Sequence, residues 1–334
     1  ELHAFLRPHL PKGVELPAPV FDGSLAPLNT IARLLETSRP DKRFVIVLDE
    51  FDEIHPEMYR HGPLAEAFFA NLRTLGARKN LAFILVGGEK MPFIIGAQGD
   101  QLNKFGREPL DYFSRSDEWT DYVELITGPV KDGLNWEESS LNEVFSLTNG
   151  HPYYTKLLCA KVFSTSVAQR DTEIITSDIR HALNGLVSAL DTNAFAHFWK
   201  DGINAEREEA EVIELKRLRV LVAFGRALRS GTPTKLIIAQ QVSSSTLQPS
   251  EVGPLVDDFC RRELMKEVGG GIVMQPPIFQ RWIRDVGVTK LIASTLADDM
   301  ENELQKANEV AYVKAGEIET LIKAWPLYRG QQVT

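Results

Sequence analysis

Four carboxylates follow a short apolar run in the stretch RFVIVLDEFDEIH. The run ends at Leu48, and the acidic residues that come after it are Asp49, Glu50, Asp52 and Glu53. Carboxylates placed side by side repel one another, so a cluster of this kind suits a bound cation. Asp49 is a candidate ligand of Mg²⁺, and Glu50 is a candidate for orienting or activating a water molecule. A buried strand that surfaces into an acidic turn explains the same pattern without a site, and Asp52 and Glu53 are expected in a solvated turn or helix start.

Two short apolar runs predict the strands that place these carboxylates. FVIVL spans Phe44 to Leu48 and LAFILV spans Leu81 to Val86, and neither alternates with polar residues, which is typical of strands covered on both faces. The segment Pro63 to Arg78 between them has apolar residues at helical spacing. This strand–helix–strand order predicts a parallel sheet, and ligands of open α/β sheets bind at the carboxyl ends of the strands. A further strand is expected at Tyr122 to Ile126.

The rest of the sequence predicts helices in two further domains. Glu137 to Leu147, Tyr153 to Ser166 and Asp178 to Leu190 have helical patterns and are expected to form a small lid. From Glu206 a long helix opens a new domain, in which two short helices precede a hairpin around Gly269, an order that suggests a winged-helix module. The predicted organisation is an α/β core at residues 1–130, a helical lid at 131–205, a winged-helix domain at 206–288 and an acidic helical segment at 289–334.

The composition excludes several classes of protein. Of the 334 residues, 43% are hydrophobic and 25% charged, which is ordinary for a globular protein and argues against disorder. The net charge of -9 argues against a protein that coats nucleic acid, because such binding needs clustered Lys and Arg. Cys159 and Cys260 are expected to be reduced thiols, and no apolar run approaches the ~20 residues that span a bilayer. We therefore expect a cytoplasmic protein without a membrane partner.

Three motifs in this order resemble those of a known family. VIVLDEFDEI is similar to the Walker B strand of P-loop ATPases of the STAND and AAA+ type, particularly the archaeal-ATPase and origin-recognition-like branch. ILVGGEKM looks like the next strand of that group, whose end senses the γ-phosphate, and LTNGHPYYTKLLC looks like its Gly-x-Pro lid motif. The resemblance covers most of residues 40 to 288. It implies an α/β fold with a parallel-sheet P-loop ATPase core, a helical lid and a winged-helix domain.

The resemblance also implies roles for single residues. Asp49 becomes the Mg²⁺ carboxylate and Glu50 the catalytic one, with ATP or ADP as the bound nucleotide. Gly87 and Gly88 occupy the sensor region, although the family often has Ser, Thr or Asn there, and the lid-motif positions fall on Gly150 and Pro152. Without the resemblance, a helix-breaking turn is the better explanation of these last two residues. Arginines at 107 and 115 are candidates for reaching a neighbouring subunit's phosphate, or are plain surface residues.

One element of the family is absent from the sequence. A P-loop requires G-x-x-x-x-G-K-[ST], whose backbone N–H groups and lysine hold the phosphates, and these residues contain no such run. In this family the P-loop precedes Walker B, so an incomplete core at the N-terminus and further domains of a longer chain are expected. The alternative is a degenerate ATPase that cannot turn over.

The sequence leaves three functions open. The first is a STAND-type switch, in which ATP controls oligomerisation and an attached or associated effector, with a role in prokaryotic anti-phage defence among the implications of the resemblance. The second is a DNA-binding initiator or loader of the origin-recognition kind, which is not favoured because SEVGPLVDDFCRREL, the candidate recognition helix, carries acidic residues that repel phosphates. The third is a catalytically inactive scaffold with the same fold. The expected partners are a second copy of the chain or an effector subunit.

Overall fold

The computed structural model describes residues 2–18, 25–60, 62–242, 247–294 and 296–297. These residues form two compact units. The first contains the described residues up to Pro109 together with Asp201–Glu206, and the second contains Leu110–Lys200 and the described residues from Arg207 onward. The predicted domain boundaries at 130, 205 and 288 stay predictions. Within the described ranges, no helix has the length and apolar character needed to cross a membrane.

The first unit contains one parallel sheet of two strands with helices around it. Its elements are α1 (Leu2–Leu6), α2 (Ala26–Ser38), β1 (Phe44–Leu48), α3 (Pro63–Gly76), β2 (Leu81–Leu85) and α4 (Met91–Leu102). The strands pair in parallel from Phe44 opposite Leu81 to Leu48 opposite Leu85. Helix α3 connects them as a crossover, so the predicted strand–helix–strand unit is confirmed.

The two faces of this sheet differ in burial. Phe44, Ile46 and Phe83 pack on one face against buried residues of α2 and α3, such as Ala32 and Leu75. The opposite face carries Val45, Val47 and Ile84, which are 57%, 56% and 50% exposed. The prediction of strands covered on both faces is therefore wrong for the described part of the chain. The apolar pattern is real, but the helices described here lie on one face only.

The second unit begins with five helices. They are α5 (Trp119–Thr127), α6 (Glu138–Thr148), α7 (Pro152–Gln169), α8 (Thr176–Ala189) and α9 (His197–Lys200), and the short strands β3 (Asn135–Trp136) and β4 (Glu173–Ile174) pair in parallel. The helices predicted at 137–147, 153–166 and 178–190 are confirmed within a few residues as α6, α7 and α8. Asn149 directly follows α6 and has a left-handed φ of 51°, as is usual at a helix C-terminus.

The strand predicted at Tyr122 to Ile126 is wrong, because these residues belong to α5. Tyr122 and Ile126 lie four residues apart on one side of that helix, and both are buried. The Tyr122 hydroxyl lies 3.0 Å from Thr148 Oγ1 and 3.1 Å from Thr155 Oγ1. Aromatic and β-branched residues favour strands on average, but packing against α6 and α7 overrides that preference here.

The second unit continues with helices around a hairpin. The elements are α10 (Arg207–Ser230), α11 (Lys235–Gln240), α12 (Pro249–Arg261), β5 (Met265–Val268), β6 (Gly271–Met274), α13 (Pro277–Trp282) and α14 (Val288–Ser294). The antiparallel hairpin turns at Gly269 and Gly270, whose φ angles of 59° and 82° are left-handed. The long helix and the hairpin were both predicted. Most of the acidic segment predicted at 289–334 lies outside the described residues.

One hydrophobic core runs through both halves of the second unit. The Phe195 ring lies 4.7 Å from the Phe279 ring and 4.6 Å from the Trp282 ring, measured between centroids. The Trp282 Nε1–H donates to the carbonyl of Leu190 at 3.1 Å, and Lys290 Nζ donates to the same carbonyl at 2.6 Å. The end of α8 is therefore capped by side chains from the C-terminal half.

Candidate functional site

The turn after β1 presents two exposed carboxylates. Asp49 and Glu50 are both exposed, and Asp49 Oδ1 accepts a hydrogen bond of 3.0 Å from the Glu50 N–H. Glu50 has a φ of 51°, a left-handed conformation that costs a non-glycine residue roughly 1 kcal/mol or more. Phe51, which is 3% exposed, donates its N–H to the carbonyl of Val86 at 2.7 Å. The buried Phe51 thus anchors a strained turn to the end of β2.

The next two carboxylates are held by the segment after β2. Asp52 is only 8% exposed, and its Oδ2 accepts a hydrogen bond of 3.3 Å from the Lys90 N–H at the start of α4. Glu53 forms an ion pair of 2.8 Å with Lys90 Nζ. Solvent exposure was therefore the wrong prediction for Asp52, because the amino end of α4 and Gly87 and Gly88 close over it. The alternative of a helix start is confirmed, because Phe51–Glu53 form a short 3-10 helix. Lys90 is therefore a positive partner of the cluster. It binds Asp52 and Glu53, whereas Asp49 and Glu50 are exposed to solvent.

Gly87 and Gly88 lie beside this cluster at the carboxyl end of β2. A Cβ on Gly87 would lie 2.8 Å from Asp52 Oδ1 and 2.6 Å from the Met91 Cγ, which is closer than real Cβ contacts. A Cβ on Gly88 would lie 3.4 Å from Asp52 Oδ2. The packing of Asp52 and Met91 accounts for a glycine at position 87, so a contact between these glycines and a nucleotide stays a prediction.

Asp49 and Glu50 suit Mg²⁺ better than a cation that needs many protein ligands. In the described part of the chain, no group of three or more His, Cys, Asp or Glu residues could hold a metal ion. Mg²⁺ keeps several water ligands and is commonly held by one or two carboxylates together with substrate phosphates. Two adjacent, exposed carboxylates at the carboxyl end of a parallel strand fit that ligand set.

Gly150 and Pro152 belong to the second unit, whereas the other four predicted site residues belong to the first. Gly150 has a φ of 74°, and its carbonyl accepts a hydrogen bond of 3.1 Å from the Phe113 N–H. A Cβ at this position would lie 2.2 Å from the Phe113 carbonyl oxygen. Pro152 is the first residue of α7, where its missing N–H costs nothing. Backbone packing and helix initiation explain both residues, and a nucleotide contact stays a prediction.

The residues around this turn form an aromatic cluster. The His151 ring stacks on Tyr112 with 4.5 Å between centroids and meets the Tyr154 ring edge-on at 4.5 Å. Burial lowers the pKa of His151 to about 4, with a smaller contribution from His197 nearby. Burial also lowers the pKa of His197 to about 4, helped by the charge of Arg262. Both imidazoles are therefore neutral near pH 7.

The arginines considered as subunit-crossing groups have different surroundings. Arg115 lies over the Trp119 ring, with 3.4 Å from Cζ to the centroid, so its guanidinium is engaged in a cation–π contact. Arg107 is exposed. Sequence reasoning missed the burial of Asp52. The signal for it was the pair Gly87 and Gly88, because two glycines directly after a strand indicate a close approach.

Comparisons with known proteins identify the fold. No protein-family model and no curated protein matches the chain. Among solved structures, the Walker-type ATPase PABY2304 of Pyrococcus abyssi matches with a TM-score of 0.52 and 13% identity over 85% of this chain and 77% of the other. The ORC2 protein of Aeropyrum pernix, solved as ADPNP-ADP complexes, matches with a TM-score of 0.52 and 13% identity over 85% of this chain and 73% of the other. The chain therefore has the mixed α/β fold of Walker-type P-loop ATPases, as the order of its motifs predicted.

Proposed function

We propose that this protein is a nucleotide-dependent switch of the STAND type that binds and hydrolyses ATP with Mg²⁺. The observation that carries the proposal is the pair Asp49 and Glu50, which is exposed at the carboxyl end of β1 with Glu50 in a left-handed conformation. Strained backbone at an exposed polar turn is costly and is typical of functional sites. The fold supports the proposal, because it is shared with Walker-type ATPases.

Each carboxylate has a separate task in the proposed reaction. Asp49 would hold Mg²⁺, and the metal would neutralise negative charge on the phosphates of the nucleotide. Glu50 accepts a hydrogen bond from the attacking water and orients it toward the γ-phosphorus. The phosphates themselves need a P-loop, which residues 1–334 do not contain. We propose that the phosphates are held by a P-loop that lies upstream in a longer chain.

The switch is proposed to act through assembly. ATP binding favours one of two conformational states, and that state promotes oligomerisation and controls an attached or associated effector. A role in anti-phage defence is part of the same proposal. It rests on the resemblance of the motifs to STAND proteins.

DNA recognition is less well supported by the contacts of α12. Asp257 and Asp258 on this helix pair with Lys235 and Arg217, at 2.6 Å and 2.7 Å. Arg262, directly after the helix, donates to the carbonyl of Phe198 at 2.8 Å. Cations that are used for internal contacts contribute little to phosphate binding. We therefore propose that the C-terminal half, which we expect to be a winged helix, acts within the molecule.

The proposal is tested by the nucleotide content of the intact native protein. Denaturation should release close to one equivalent of ADP or ATP, identified by chromatography, and chelation of Mg²⁺ or the variant D49A should lower this amount. The control is E66Q, which changes an exposed carboxylate in the first turn of α3. Absence of nucleotide from the native protein, together with no binding of added ATP and Mg²⁺, would refute the switch and favour a scaffold.

A further inference from the structure

The buried carboxylate of Asp52 connects the ends of the two strands. Its Oδ2 accepts the Lys90 N–H at 3.3 Å, at the point where α4 begins with Met91. The carboxylate therefore lies at the amino end of α4, which is kinked at Gln98, and the free backbone N–H groups of the first turn favour a negative charge there. Asp52 lies two residues after Glu50, and Lys90 lies five residues after the last residue of β2.

The glycines after β2 show that this contact is built into the backbone. A methyl group on Gly87 would lie 2.8 Å from Asp52 Oδ1, and one on Gly88 would lie 3.4 Å from Asp52 Oδ2. The backbone at Gly87 and Gly88 thus lies close to the Asp52 carboxylate, and a side chain at position 87 would not fit. An exposed acidic turn would need neither glycine.

Hydrogen bonds hold the chain on both sides of the strained residue Glu50. Before Asp52, the Phe51 N–H donates to the carbonyl of Val86 at 2.7 Å. The Val86 N–H in turn donates to the carbonyl of Leu48 at 2.9 Å, on the other side of Glu50. The hydrogen bond from the Lys90 N–H to Asp52 adds a further attachment, which joins the turn to the start of α4. A left-handed glutamate persists only where its surroundings fix it, and these bonds do so.

We propose that Asp52 is a positioning residue for the hydrolytic step, which rests on the proposed function. Asp52 does not touch the nucleotide. It holds the turn of Asp49 and Glu50 against the end of β2, so that both carboxylates keep a fixed distance from each other and from the segment Gly87 to Lys90. Loss of this contact frees the turn, and Glu50 relaxes toward an ordinary conformation in which it no longer orients the attacking water.

Four variants of the intact protein separate positioning from general stability. In D52A the contact is lost, and we expect kcat for ATP hydrolysis to fall about tenfold or more while KM for ATP changes less than about twofold. D52N keeps one acceptor oxygen and should restore most of the rate. G87A should also lower kcat, because its methyl group displaces the carboxylate together with the flexible side chain of Met91. The control G96A adds a methyl group within α4 that meets nothing within 4 Å and should leave kcat unchanged.

A second readout does not depend on catalysis. Amide hydrogen exchange at Phe51 reports the bond between its N–H and the carbonyl of Val86. D52A should speed this exchange about tenfold or more at constant global stability, and G96A should not. This amide is not a partner of Asp52, so its exposure measures release of the whole turn.

The outcomes of the two readouts are distinct. A fall in kcat with faster exchange at Phe51, both rescued in D52N, supports the inference. Unchanged kcat in D52A, or a loss of melting temperature with unchanged exchange at Phe51, overturns it. If the intact wild-type protein does not hydrolyse ATP, the proposed function fails, and exchange at Phe51 then decides alone whether Asp52 holds the turn.

Discussion

Two turns of this molecule carry the motifs that resemble nucleotide sites, and they use the same backbone conformation for different purposes. Glu50 after β1 and Asn149 after α6 both have a φ of 51°. In the second turn the left-handed residues end one helix and allow Gly150 to pack on Phe113, so every feature has a structural explanation. In the first turn the left-handed residue exposes a carboxylate that has no packing role. Chemistry is therefore expected at the first turn.

The largest effect is expected at the second turn. G150A places a methyl group 2.2 Å from the Phe113 carbonyl oxygen and requires alanine to adopt a φ of 74°. We expect the free energy of unfolding to fall by about 3 kcal/mol or more, or the protein to fail to fold. Chemical denaturation measures this change. The matched substitution G96A, whose methyl group meets nothing, should leave stability equal or slightly higher. Equal stabilities of the two variants would contradict the packing explanation.

A smaller effect is expected from pH, through His151 in the same turn and His197 at the start of α9. His151 and His197 have pKa values lowered to about 4 by burial, compared with 6.5 for an unperturbed histidine. The unfolded chain therefore binds these two protons at a higher pH than the folded chain does. Their contribution to stability is present above pH 6.5 and is lost as the pH falls from 6.5 toward 4.

The pH effect can be separated from that of the carboxylates with one variant. H151F keeps a ring against Tyr112 but binds no proton. The melting temperature of the wild type should fall more than that of H151F between pH 7 and pH 4.5, by several degrees. Parallel curves for the two proteins would show that His151 is not held neutral.

The smallest effect is expected at the first turn. E50G removes a side chain from a left-handed position, and we expect the free energy of unfolding to rise by roughly 0.5–1 kcal/mol, because glycine adopts this conformation without strain. Hydrolysis should be lost in the same variant. A gain in stability with a loss of activity is the behaviour of a residue kept for function. Lower stability in E50G would mean that Glu50 has a structural role like that of Asn149.

Much of the fold could be predicted because its signals are local. The strands at 44–48 and 81–85, the helix between them and the hairpin at Gly269 follow from runs, periods and turn residues within a few positions. The helix at Tyr122 could not be predicted, because its strand-forming residues are overruled by contacts with α6 and α7, far along the chain. The prediction that both faces of the sheet are buried was wrong, because the composition of a strand does not say whether helices cover one face or both.

The site was predictable in part for the same reason. Asp49 and Glu50 are predicted from their place after an apolar strand. Gly87 and Gly88 lie beside Asp52, in the turn that follows the same strand, because parallel strands bring their carboxyl ends together. The burial of Asp52 depends on the path of the chain at Lys90, which no pattern around position 52 reveals. Gly150 and Pro152 came from resemblance, and the structure supplies a packing reason for both.

The measurement that tests the central claim most directly is the state of the nucleotide bound to E50Q in the intact protein. After incubation with ATP and Mg²⁺, E50Q should retain ATP and hydrolyse it about 100-fold or more slowly than the wild type, which should carry ADP. E66Q should behave like the wild type. An E50Q protein that hydrolyses ATP at the wild-type rate and carries the same share of ADP would contradict the assignment of Glu50, and with it the functional explanation of the turn after β1.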